Sequence, residues 1–96
     1  MICIYRPHDT REDIRMEMPS TFEALKRGLE IAHERNCMVT YDVFNDGLGK
    51  WQTIGYFHPD YTFTDSFNDR YRWTGDRVDY WEKTDLEPFD PFKRNN

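Results

Sequence analysis

The stretch Asp13-Ile14-Arg15-Met16-Glu17-Met18-Pro19-Ser20-Thr21-Phe22-Glu23 holds two periodicities side by side. From Asp13 to Met18 charged and apolar residues alternate, with Ile14, Met16 and Met18 on one side, as in a strand buried on one face. After Pro19 the period changes. Ser20 is a helix cap, Glu23 three residues on is its capping-box partner, and Met18 supplies an apolar contact before the first turn. Phe22, Leu25, Leu29 and Ala32, widened by Ala24 and Ile31, then recur at helical spacing to about Arg35. Asn36 is a residue type that ends helices in the left-handed conformation. A half-buried strand followed directly by an amphipathic helix implies a sheet with a helix laid across it.

Working outward, Ile2-Cys3-Ile4-Tyr5 before Pro7 reads as a short apolar strand, and Asp13–Met18 as the return arm of its hairpin. On the other side, Met38–Phe44 and Trp51–Phe57 flank the turn Asn45-Asp46-Gly47-Leu48-Gly49, a second hairpin. Tyr61–Asp69 alternates ring and polar residue but lacks long aliphatics, so it fits a strand or an ordered loop. Arg70–Trp73 and Arg77–Trp81 flank Thr74-Gly75-Asp76 as a third, short hairpin. Pro88 and Pro91 break regular structure, making 85–96 an irregular tail. The order β-β-α-β-β-(β-β) predicts a single α+β domain over 1–96: an antiparallel sheet of four to six strands with one helix on a face.

Composition narrows the function classes. The chain has 96 residues, 17% of them aromatic, and a net charge of −5. So many rings exclude wholesale disorder. Acidity disfavours nucleic acid, which is held by Lys and Arg displacing counterions. Cys3 and Cys37 fall in no C-x-x-C pair or metal spacing, which fits free thiols in a reducing cytoplasm. No leader and no apolar run of membrane-spanning length is present, so a cytoplasmic chain without membrane attachment is expected.

Little in the sequence carries catalysis. Ser20 and Ser66 lie in no nucleophile elbow, and a helix stop separates His33 from Cys37. His8-Asp9 and His58-x-Asp60 are the nearest approaches to a ligand pair, without zinc-type spacing. Asp46-Gly47-Leu48-Gly49-Lys50 joins two strands instead of opening a helix, so it is a turn and no phosphate loop. Neither cofactor nor metal is expected, and the chain reads as a non-enzyme.

What remains is the aromatic second half. Twelve of the sixteen rings lie between Trp51 and Phe92, and nine acids fall between Asp60 and Asp90. With one helix for two sheet faces, some rings are expected to stay exposed as anchors. The candidate partner-binding residues are Tyr61, Phe63, Phe67, Tyr71, Trp73, Trp81 and Phe89, with Asp69, Asp76, Asp79 and Glu82 for steering. They describe a protein-binding module for a basic partner. In its sharper form it is a stoichiometric inhibitor of a nucleic-acid-handling protein. In size, acidity and lack of catalytic residues the chain is similar to small accessory proteins of phages and mobile elements, including inhibitors of host defence. The alternative is single-stranded nucleic-acid binding through Arg70-Tyr71-Arg72-Trp73, rings stacking bases and guanidiniums meeting phosphates. A third reading is a small enzyme with a carboxylate–histidine site. Arg77–Trp81, as an exposed edge strand, would also allow a homodimer.

Overall fold

The computed structural model describes residues 1–84; the expected tail 85–96, with Phe89, lies outside them. In chain order the elements are β1 (Ile2–Pro7), β2 (Ile14–Glu17), α1 (Thr21–Arg35), β3 (Val39–Asn45), β4 (Lys50–Phe57), β5 (Thr62–Asp65), β6 (Arg70–Trp73) and β7 (Trp81–Lys83). All strands join one antiparallel sheet in the order β2-β1-β3-β4-β5-β6-β7. The protein is α+β, with seven strands instead of four to six.

The extra strand has a local cause. Thr62–Asp65 lacks aliphatics, but Phe63 takes the core position while β-branched Thr62 and Thr64 face the other way, which suits a pleated surface. The last hairpin differs too. Residues 77–80 are loop, and β7 starts only at Trp81. Asp76 accepts hydrogen bonds from the Val78 and Asp79 amides, and Thr74 donates to the Asp79 carbonyl, so the chain closes a wider loop.

The helix forms as its sequence dictates. The Ser20 hydroxyl accepts from the Glu23 amide at 3.2 Å, and Asn36 ends the helix at φ 49°. Glu23 turns its carboxylate to Arg77, 3.6 Å away. One helix face buries Ala24, Leu25, Gly28, Leu29, Ile31 and Ala32 against β1, β3 and β4. Cys3, Tyr5, Val39, Tyr41 and Phe57 meet it from the sheet, and Tyr5 stacks on Tyr41 at 5.7 Å. Gly28 is required there, because a Cβ on it would run into the Phe57 ring. Each large side chain so buried contributes about 1.5–3 kcal/mol.

The opposite face of the sheet has no helix. Its centre is closed by Asp42, which is 2% exposed and takes an ion pair from Arg6 and a hydrogen bond from Thr53 at 2.7 Å. Beside it Phe44 packs edge-on against Trp51, and the Arg15 guanidinium lies over the Trp51 ring.

Candidate binding surface at the last three strands

Alternation along β5, β6 and β7 sorts the candidate residues. Cross-strand pairing of Phe63 with Tyr71 and of Trp73 with Trp81 puts these four rings on the helix side. There Phe63 stacks on Trp81 at 5.3 Å, Trp81 meets Trp73 edge-on at 5.1 Å, and Phe22 of the helix reaches Trp73 at 5.1 Å. Phe63 is buried and the other three half-buried, and through the 5.1 Å contact of Phe63 with Phe57 they extend the main core toward the sheet edge. Arg70 and Arg72 face the other way. Arg70 is tied to Asp60 at 3.1 Å and to the Thr62 hydroxyl, and Arg72 lies across from Glu82. Rings and guanidiniums of β6 therefore stand on opposite faces of the sheet.

Phe67 and Asp69 lie at one end of β6, and Asp76 and Asp79 at the other. Asp65 accepts hydrogen bonds from the amides of Phe67 (2.9 Å) and Asp69 (3.0 Å), and Asn68 adopts a left-handed φ of 69°. The turn so fixed holds out Phe67 with 86% of its surface exposed. At the other end Asp76 accepts from Val78 (2.8 Å) and Asp79 (3.0 Å), and Val78 is 91% exposed. The two backbone amides hold the Asp76 carboxyl below its ordinary pKa, so it stays ionised. The two most exposed large apolar side chains among the described residues thus share one device: each stands two residues after a carboxylate that locks its turn. Four strand residues separate the turns, a span of roughly 13 Å. Asp69 adds a loose 3.7 Å contact to Lys83, while Asp79 and Glu82 are exposed.

Tyr61 stands apart. It lies at the other end of β5 from Phe67, its ring tilted against His33 at 4.6 Å, and is 39% exposed. His33 also meets the Pro59 carbonyl at 3.0 Å. His58 is buried beside the Thr64 hydroxyl at 2.7 Å; burial and the nearby Arg70 charge lower its pKa from 6.5 to about 4. It is therefore neutral at ordinary pH. Among the described residues no group of three His, Cys, Asp or Glu is placed to hold a metal ion, and no helix is long and apolar enough to cross a membrane.

The structure also assembles a feature that sequence reading does not single out. Because α1 covers only β1, β3 and β4, an apolar cleft of about 300 Å3 remains between the helix and the last strands. Leu25, Val43, Ile54, Phe63 and Trp81 form its walls together with Tyr41. A register shift in β4 leaves Ile54 without a cross-strand partner opposite Tyr41 and Asp42 and places it on this wall. Met38–Phe44 read as a strand of the second hairpin, and that reading carried no sign of a cleft.

Compared with known proteins, the chain matches no family model, no curated protein and no solved structure at a significant level.

Proposed function

We propose that the protein is a non-enzymatic module that binds a basic protein surface along its β6–β7 margin. Phe67 and Val78 are the anchors, and Asp69, Asp76, Asp79 and Glu82 supply steering and specificity. The observation that carries this reading is the pair of carboxylate-locked turns, which hold two apolar side chains out in water at the two ends of one strand. A preorganised anchor costs little entropy on binding. Spreading the anchors and charges over one margin suits a stoichiometric partner better than turnover. Trp73 and Trp81 act from behind as support, and Tyr61 is not part of the surface.

The test is capture of proteins from the host by the immobilised chain. A Phe67→Ala/Val78→Ala double variant is expected to lose the captured protein, as is Asp69→Lys/Asp79→Lys. Leu48→Ala, a truncation of an exposed residue on the β3–β4 turn, keeps it. If the double variant captures the same protein as the parent chain, with its fold intact by circular dichroism, the margin is not the binding surface.

A further inference from the structure

The cleft on the helix side combines two independent observations. It is walled by apolar side chains and holds about 300 Å3, the lower end of the volumes that take small molecules. Tyr41, which lines it, is 1% exposed, and its hydroxyl is the one buried side-chain polar atom without a hydrogen-bond partner among the described residues. Its neighbour Tyr5 spends its own hydroxyl on the Ala24 carbonyl. A buried hydroxyl left unpaired is costly, and native interiors rarely keep one without a reason.

We propose that this cleft is a binding site for a small, neutral, mainly apolar molecule carrying one hydrogen-bond acceptor, which Tyr41 meets from the cleft floor. The acceptor is neutral because no Asp, Glu, Lys or Arg belongs to the wall, and the ammonium of the wall residue Met1 is already bonded to the Met18 carbonyl at 2.9 Å. The Thr21 hydroxyl on the rim already donates to the Met1 sulfur at 3.9 Å, and among the donors of the wall residues the Tyr41 hydroxyl is the one that is both buried and unpartnered. Its hydroxyl is shielded from water, so the acceptor reaches it as a wall side chain gives way. Met1, unbranched and 39% exposed, is suited to that movement. The wall residue Tyr80 bounds the cleft on the side of the loop 74–80. The site is distinct from the outer margin that carries Phe67 and Val78, and it stands whether or not that margin binds a protein.

Two probes of nearly equal shape test the proposal on the full chain: 2-acetylnaphthalene, which has a carbonyl acceptor, and 2-ethylnaphthalene, which has none. Each is titrated while backbone amide shifts are followed by NMR. The ketone is expected to shift residues around Val43, Ile54, Phe63 and Trp81 and to bind roughly threefold to tenfold more tightly than the hydrocarbon, the usual worth of one hydrogen bond. In Tyr41→Phe, which keeps the ring and removes only the unpaired hydroxyl, that preference disappears while both probes still bind. Shifts centred elsewhere overturn the proposal, as does equal affinity of the two probes in the parent chain. A ketone preference that survives in Tyr41→Phe also overturns it. Amide spectra of the variant that retain the dispersion of the parent chain show that the fold is intact, so each outcome speaks to the site.

Discussion

His58 shows at the scale of one residue how burial sets a property that composition does not reveal. It follows Phe57 at the end of β4, on the face away from the helix, where Thr64 sits 2.7 Å from its ring and Arg70 lies nearby. Burial and the Arg70 charge both oppose protonation and bring the folded-state pKa from 6.5 to about 4. Between those two values the unfolded chain binds a proton at this side chain and the folded chain does not. Stability therefore falls as pH drops below about 6.5, and the contribution is fully present above it. Moving from pH 7 to pH 5 is expected to cost about 2 kcal/mol from this residue. Urea unfolding of the parent chain and of His58→Asn at both pH values checks it: the parent should lose more stability than the variant. Equal losses would mean that His58 already carries its charge in the fold.

At the scale of the element, the β5–β6 turn depends on a single side chain. Asp65 satisfies the Phe67 and Asp69 amides, so Asp65→Ala leaves a short, exposed turn without its lock. The cost in global stability is expected to be small, about 1 kcal/mol, because water can replace exposed partners. The loss of order is local, and NMR relaxation at Phe67 and Asn68 should report faster motion with the sheet otherwise unchanged. Unchanged relaxation would show that the left-handed Asn68 holds the turn without Asp65. Elements with strong local signals were legible in the sequence. The Ser20 cap, the Asn36 stop, the Asp13–Met18 alternation and the Asn45–Gly49 turn all name their own geometry, because the residues responsible lie within four positions of one another. The 74–80 loop was not legible. Its width comes from Asp76 and Thr74 capturing amides and a carbonyl across the loop, and an apparently regular Arg77–Trp81 segment conceals that competition. The candidate site was legible in part for the same reason. Alternation showed that Tyr71 and Trp73 share a face, but which face receives the helix depends on pairing between strands distant in the chain. The cleft depends on it as well.

At the scale of the whole molecule, one core runs along a continuous sheet and thins toward the β7 edge. Its thick part is sealed by α1 over β1, β3 and β4, with Tyr5, Tyr41 and Phe57 fully buried. Toward the edge, β6 and β7 are held by half-buried rings: Phe22 against Trp73 and Tyr80, and Trp81 against the buried Phe63. β7 contributes three residues at the sheet edge, none of them buried. Local unfolding draws on regions with little buried apolar contact, so the last hairpin should open without the rest. Native-state hydrogen exchange tests this directly. The amides of Trp73 and Thr84, bonded to the Tyr61 and Arg70 carbonyls, are expected to exchange through an opening that costs less free energy than global unfolding and barely depends on denaturant. Amides in the middle of β3, between β1 and β4, should exchange only through global unfolding. If the β6–β7 amides exchange at the global limit, the ring cluster binds the hairpin as firmly as the helix binds the main core. If they open first, the margin proposed to meet a partner is also the part of the sheet that a partner would stabilise most on binding.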